Sequence, residues 1–426
     1  MNKPLSQPMA RDFAALAQEA YVYALPLVIL ETFRRRRMAS GGMHKVLHSR
    51  KLSTHKSRLI TTPNNDTLYS DLWLDLRRGP ARIRIPGTGE RYFSLMLLDY
   101  YTNNFSVPGT RTTGPEPVEF TLIGPDASAE GLTGEVVRAP TAMVFGLARI
   151  LVDGPEDLDA ARAVQDAIHL DAPEHDNVEG NWTLRDAPWD SFLAEANRLI
   201  RINRPPLTDL AVLRRIAPLG IGPDQVFDPS AFTPDEAEAI ASGIGIAADR
   251  LARIQTSMAR GGHGWVWPRR NLGVYGQDYF LRAVVAVGGL GALALEEAAY
   301  LRSGGEKGVP FDGRQLWRMH FPPGWDLPCD AFWSLSMYEP TPTGEFFFVS
   351  NELDRFAIGD RTPGLRRNAD ESLDIWIGAE NPGPDREANW LPAPPGPFHL
   401  FLRAYLPRID LLEGRVPVPH PEPYED

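Results

Sequence analysis

Apolar positions along the chain change period three times. From residue 12 to 37, Phe13, Leu16, Ala17, Ala20, Tyr21, Tyr23 and Ala24 recur at helical spacing. That predicts a helix, kinked by Pro26 or restarted as a second helix at Leu27–Phe33. The run Arg34-Arg35-Arg36-Arg37 suits its C-terminal end, where cations meet the negative pole of the dipole, and reads as a solvated basic end. From Leu59 to Val152 the runs are short and strand-like: Asp71–Leu76, Ala81–Ile85, Tyr92–Leu98, Val118–Ile123, Glu135–Val137 and Met143–Val152. Helical spacing returns at Leu158–Ala167, Phe192–Ile202, Leu207–Ile216 and Pro234–Ser257, and in the near-continuous apolar stretch Asp278–Tyr300. The last third is β text again, at Trp317–Phe321, Ala331–Tyr338, Phe346–Val349, Leu373–Ile377 and Phe398–Tyr405.

Short strands bounded by Gly, Pro and Asp predict antiparallel packing. The expected architecture is mainly β with α: two jelly-roll-like β-sandwich domains joined by a helical region, preceded by a helix. The expected divisions are an N-terminal helical segment at 1–40, a β-sandwich at 41–155, a helical linker or insert at 156–270, and a helix plus second β-sandwich at 271–426.

Composition narrows the partners. The net charge of −11 argues against nucleic acid, which needs a basic footprint. Of 44 Lys and Arg only five are Lys, so an Arg bears on function only inside a motif. Cys329 is the single cysteine, so no internal disulfide can form. No apolar run is read as a membrane span, and residues 1–11 are read as having no signal segment. The expectation is a cytoplasmic protein with a small-molecule substrate, no nucleic-acid or membrane partner, and no cofactor. A phosphate-binding loop, a dinucleotide Gly motif, a nucleophile elbow and a calcium loop are all missing from the sequence. Chemistry would then rest on acid–base groups and positioned hydrogen bonds.

Two polar clusters sit on strand lips. The first is Thr61-Thr62-Pro63-Asn64-Asn65-Asp66-Thr67-Leu68-Tyr69-Ser70, and the second is Asp99-Tyr100-Tyr101-Thr102-Asn103-Asn104-Phe105. Asp66 reads either as a base, if desolvated, or as the cap of its own turn. Tyr69 and Tyr100 read as donors to an oxyanion or as packed aromatics tied to backbone. Asn64, Asn65, Thr67 and Asn103 orient a carbonyl or brace loops. Arg91 and Arg111 grip a carboxylate bidentately, or pair with Asp99 or Asp75. Trp333 and Tyr338 are candidate pocket walls in the second half, although with Trp390, Arg403 and Tyr405 they read mostly as core and interdomain material. His44 and His48 are four apart, which on a helix would put both on one face as metal ligands, with His55 nearby.

These motifs resemble a known family. Pro63–Ser70, Leu74-Asp75-Leu76, Gly79-Pro80, Arg91-Tyr92-Phe93 and Asp99–Asn103 are similar to the first half of the DUF 1254/DUF 1214 tandem proteins. Tyr275-Gly276, Arg282-Ala283, Ala331–Tyr338, Asn389–Pro394 and Leu402–Pro407 are similar to the second half. The resemblance implies two jelly-roll-like domains, a homo-oligomer, and His48 as a further acid–base candidate. Family members are commonly secreted or periplasmic, whereas this sequence suggests an intracellular role. Glu371 departs from the family, which usually has Gly there. Because Glu takes φ > 0 at higher cost, the turn is expected to be reshaped. Cys329 replaces a usual Pro. The expected function is a cofactor-independent enzyme, of lyase, isomerase, cyclase or hydrolase type, with Asp66, Tyr69, Tyr100 and His48 as catalytic candidates. The alternatives are a ligand-binding or assembly-forming double jelly roll, and a His-ligated metal enzyme.

Overall fold

The computed structural model of the chain describes residues 11–38, 42–58, 60–175, 187–258, 264–306 and 309–425. The segment read for a signal sequence lies almost wholly outside them. Helix α1 spans Phe13–Met38, and Pro26 sits inside it without ending it. Strands β1 (Val46–Ser49), β2 (Thr67–Asp75), β3 (Ala81–Ile85), β4 (Phe93–Asp99), β5 (Asn104–Ser106), β6 (Val118–Ile123), β7 (Glu135–Arg138) and β8 (Met143–Leu151) follow. Helix α2 (Leu158–Asp166) and strand β9 (His169–Asp171) close this unit. One sheet has the order β1-β2-β8-β4-β5 and the other β7-β6-β3-β9. Leu68, Leu72 and Leu74 of the first sheet meet Ile83, Ile85, Phe120 and Leu122 of the second in a buried core.

A helical layer comes next: α3 (Trp189–Ile202), α4 (Leu210–Ile216), α5 (Pro234–Met258) and α6 (Tyr279–Gly288). The expected long helix Asp278–Tyr300 is therefore half helix. It stops in a glycine-rich stretch where Gly291 takes φ of +82°, and the chain turns into strand β10 (Ala298–Ser303). The rest is a short hairpin of β11 (Gly305–Glu306) and β12 (Val309–Pro310), then β13 (Trp317–Phe321), β14 (Cys329–Pro340), β15 (Phe346–Phe347), β16 (Ala357–Gly359), β17 (Leu373–Gly378), β18 (Trp390–Pro392), β19 (His399–Pro407), helix α7 (Ile409–Leu412) and β20 (Glu422–Pro423). One sheet runs β10-β19-β14-β15, with β16 also on β14, and the other runs β18-β17-β13-β20. The fold is sheet-rich with an N-terminal helix, as the periodicity implied. The sequence reading missed β1, β5, β9, β10, β11, β12, β16, β18 and β20, all but β10 only two to four residues long.

Helix α1 is long and apolar enough to cross a membrane, contrary to the sequence reading. In this fold it packs against α3, α5 and α6 and against the first sheet, where Phe33 meets the stacked pair Trp73–Phe145. Its arginine run is not a solvated end. Arg34 and Arg35 donate to Glu31, Arg35 also donates to Glu195, and Arg37 pairs with Asp71 on β2. Glu31 is 1% exposed and also accepts from Arg198 and from the Tyr100 hydroxyl at 2.5 Å. Burial alone would push its carboxyl up. Hydrogen bonds and charge from Arg34, then Tyr100 and Arg198, more than offset this and hold it at about 2, against its usual 4.5.

Glu371 itself adopts φ of +68°, in the left-handed region. Asn368 N–H donates to Ser372 O at 2.8 Å and Glu371 N–H to Asn368 O at 3.0 Å, which over-determine the strained residue.

Two predictions follow from these sites. Glu31→Gln leaves three guanidinium groups around a neutral amide and should cost about 3–5 kcal/mol in denaturant unfolding at pH 7. Because the folded carboxyl is depressed, Glu31 stabilises the native state above its usual value of 4.5. That contribution fades as pH falls from there towards about 2. The Gln variant should lose that part of the acid dependence, and equal stability of the two proteins at pH 7 would contradict the account. Glu371→Gly should raise stability by about 1 kcal/mol by relieving the left-handed backbone. Glu371→Ala, which keeps the β-carbon, should leave stability unchanged.

Candidate functional site

The two large sheets show each other their outer faces. Alternation sends Leu68, Leu72 and Leu74 of β2 into the sandwich core, so Tyr69, Asp71 and Trp73 point the other way. Register places Arg149 of β8 opposite Tyr69, and Ser94 of β4 opposite Arg149. In the C-terminal sheet Ala299, Leu301, Leu335, Met337, Leu402 and Ala404 fill the core. The opposite face carries Tyr300 beside Arg403, Arg403 beside Ser334, and Tyr405 beside Phe332. Between these two polar, aromatic faces lies the candidate site.

Arg149 is 5% exposed. Its guanidinium donates to Gly291 O at 2.7 Å, lies 3.9 Å from the Met96 sulfur, and stands 5.6 Å from the centre of the Tyr69 ring. Among the described residues no carboxylate forms an ion pair with it. Burial works against its charge, but the phenols of Tyr69, Tyr300, Tyr405 and Tyr92 surround it and favour the cation. Another buried arginine, Arg282, also lacks an ion pair, but three ring centres lie 5.0, 5.3 and 5.1 Å from its guanidinium. On the same face as Tyr300, Arg302 has a buried Nη1 with no partner, and burial pushes its guanidinium down to about 10.

Tyr300 is half-buried; burial pushes its phenol up, and so does the neighbouring Tyr69, against the pull of Arg149. Tyr405 stacks on Phe332 at 4.1 Å, and its phenol is pushed far up, first by burial and then by Tyr300, Tyr69 and Asp66. Those neighbours tie the Asp66 loop to the Arg149 side of the cleft. Glu297, 1% exposed, accepts from Tyr92 Oη at 2.9 Å and from Arg111 Nε at 2.6 Å. Burial still raises its carboxyl above the usual range.

The Asp66 loop docks directly on the C-terminal sheet. Asp66 Oδ2 accepts from Ser334 Oγ at 2.6 Å, and Asn64 Nδ2 donates to Tyr405 Oη at 2.8 Å and to Thr67 Oγ1 at 3.3 Å. Tyr338 Oη donates to Pro63 O at 2.6 Å and accepts from Arg403 Nη2 at 2.7 Å. Arg403 also donates to Thr62 O and Ser336 Oγ. The Asn64 side chain caps the turn through Asp66 N–H at 2.7 Å, so Asp66 itself is left to face Ser334.

Of the residues singled out in the sequence, Asp66, Tyr69, Asn64, Thr67, Arg111 and Tyr338 gather at this interface. The others do not. Tyr100, just past β4, packs with Met96 and Leu98 in the cluster around α1, and its hydroxyl holds Glu31. His48 lies on β1 opposite Ser70, whose hydroxyl it meets at 2.8 Å, on the face of β2 away from Tyr69. Asn65 braces a loop through Ser53 O, and Asn103 braces one through Asp99 and Tyr275 N–H. Arg91 is spent on Asp157, not on Asp99 or Asp75. Trp333 points into the C-terminal core, on the opposite face of β14 from Ser334. The helix needed for a His44–His48 metal pair does not exist. His44 sits in a turn at φ of +58° and is held by Asp75 N–H and Pro173 O, while the His55 ring packs on Phe356. Cys329 is half-buried and its thiol is pushed up to about 12, chiefly by burial, so it is a poor nucleophile.

Arg149, Tyr92, Glu297, Tyr300 and Ser334 were missed as site residues, and Arg403 and Tyr405 read as core and interdomain material. A signal for Arg149 was present: it is the one charged residue in the strand Met-Val-Phe-Gly-Leu-Ala-Arg-Ile-Leu.

Residues 43–172 match the family described as a protein of unknown function, DUF1254, and residues 296–409 the one described as a protein of unknown function, DUF1214. No curated protein matches the chain. The crystal structure of the VPA0106 protein from Vibrio parahaemolyticus has a TM-score of 0.70 at 22% identity, covering 97% of this chain and 100% of that one. An uncharacterised protein from Burkholderia cenocepacia has a TM-score of 0.47 at 15% identity, covering 95% and 87%. With both matches in order along one fold shared end to end, the chain belongs to the family of tandem DUF1254–DUF1214 proteins.

Proposed function

We propose that the cleft between the two large sheets binds a small organic anion and moves a proton on it, without a nucleotide cofactor. The buried guanidinium of Arg149, with no carboxylate paired to it, carries this reading. An uncompensated buried charge is costly, so a site that keeps one gains most when an anion arrives. Arg302, with its unpartnered Nη1 on the facing sheet, supports the same sign of ligand. The phenols of Tyr69 and Tyr300 supply hydrogen bonds and stacking for a planar or carbonyl-bearing molecule.

In this reading Arg149 holds a carboxylate or a developing enolate, where fixed donors in a dry site act most strongly. Asp66, set against Ser334 at the other end of the cleft, takes the proton. Glu297 keeps Tyr92 and Arg111 in place, and Asp66, once protonated, gives the proton back at a neighbouring atom. The chemistry is of lyase, isomerase or cyclase type, in which a proton is removed beside a carbonyl and delivered nearby.

Arg149→Met tests the anion site. It should leave the unliganded protein as stable as before or stabilise it by about 1–4 kcal/mol, since it removes a buried charge. It should also abolish thermal stabilisation by small organic acids. For the parent that stabilisation is about 2.7 kcal/mol at a hundredfold excess over Kd. If no organic acid in a broad panel raises the melting temperature of the parent, the anion reading is wrong. For an acid that is turned over, Asp66→Asn should keep binding and lose roughly 10²–10⁴-fold in rate. Full turnover by that variant would remove Asp66 as the base, and binding with no turnover in the parent would leave a ligand-binding protein.

A further inference from the structure

A second cavity, of about 310 Å³, opens in the C-terminal sandwich on the other side of β14 from the interdomain cleft. Its aromatic walls are Phe321, Trp325 and Trp333. Phe321 stacks on Trp333 at 5.5 Å and lies 5.0 Å from Trp325. Trp333 is 4% exposed, and its Nε1–H is buried with no acceptor. Indole N–H groups in protein interiors normally find a partner, so this one marks a place where an acceptor is missing.

Two carboxylates, Asp326 and Asp360, line the same cavity. Neither is fully met by a cation. Among the described residues Asp326 Oδ1 accepts only from Leu327 N–H, and Asp360 Oδ1 accepts from the Trp333 backbone N–H at 3.3 Å. Arg361 comes no nearer to Asp360 than 3.7 Å, and its guanidinium lies over the Phe332 ring at 4.2 Å. Asp360 is pushed up to about 6, first by burial, against the pull of Arg361, and further by the like charges of Asp326 and Asp66. Arg367, also on the cavity wall, donates to Glu371 O at the exposed rim.

We infer that this cavity is a binding site for a small organic ammonium ion that also carries a hydrogen-bond acceptor. The rings offer π faces to the cation, the two carboxylates offer countercharge, and Trp333 Nε1–H donates to the acceptor. The cavity volume sits at the small end of ligand sites, which suits a molecule of choline's size. This site shares no residue with the anion cleft and does not depend on that reading.

The test uses the full chain and choline as probe, followed by calorimetric titration, with dimethylbutanol, its neutral carbon isostere, as control. Choline should bind at least roughly tenfold more tightly than the isostere, because only the ammonium meets the rings and carboxylates. Asp360→Asn keeps an acceptor for Trp333 N–H and so should fold, and it should weaken choline binding roughly tenfold. Trp333→Phe should weaken choline more than tetramethylammonium, which has no acceptor for the indole N–H and loses only part of the π contact. Equal affinity for choline and its isostere, or choline binding untouched by Asp360→Asn, would overturn the proposal. So would tighter binding of benzoate than of choline. Arg149→Met should not alter choline binding, which keeps the outcome separate from that of the anion cleft.

Discussion

A strand buried on both faces has nowhere to send a polar side chain except into another element. That constraint organises this protein. Strands β2, β4 and β8 fill a sandwich with one set of side chains, and strands β10, β14 and β19 fill another. Each sheet then has a second face that water does not cover. On the first sheet, α1 seals the end that carries Trp73 and Phe145, so its outer face is apolar there. Towards Tyr69 and Arg149 the cover is the other β unit, and the face turns polar. The cleft is thus a stretch of sheet–sheet contact where polar side chains of both partners stand beside packed aromatic rings.

The same constraint explains what the sequence revealed. Period-two runs gave Ala81–Ile85 and Trp317–Phe321 at their observed limits, because each strand has a simple inside and outside. Asp66 was legible because a carboxylate between Asn65 and Thr67 at a strand lip is conspicuous. Its partner Ser334 was not, since it lies 268 residues away and nothing local marks it. Tyr100 was misplaced for a related reason. It lies one residue beyond β4, at the end of the outer face that α1 covers, and only the packed helix shows that its hydroxyl meets Glu31 instead of the interdomain cleft. Arg149 had a local signal, a lone charge in an apolar strand, but its meaning depends on what the opposite sheet brings.

Charge is handled differently at the two ends of the interface. At α1, carboxylate and guanidinium groups interlock: Glu31 serves Arg34, Arg35 and Arg198, and Asp71 serves Arg37. These charges have opposite numbers, and the result fastens the helix to the β unit. At the cleft, Glu297 pairs with Arg111 while Arg149 is met by phenols and a carbonyl. Both arrangements bury arginine, but only the first is self-contained. The near absence of lysine fits both uses, since the planar guanidinium can stack and fork where an ammonium cannot.

Strand β14 is a party wall. Ser334 looks into the interdomain cleft and its neighbour Trp333 looks into the C-terminal cavity, so the two compartments are one backbone apart. Gly359 presses against this wall so closely that an added β-carbon would lie 2.2 Å from Trp333 O, which fixes the strand in place. Inserting or deleting a single residue in β14 would therefore exchange the contents of the two rooms, putting an indole where a hydroxyl belongs and the reverse. Descendants of this fold can redecorate either room by substitution, but they cannot change the length of the wall between them without remaking both.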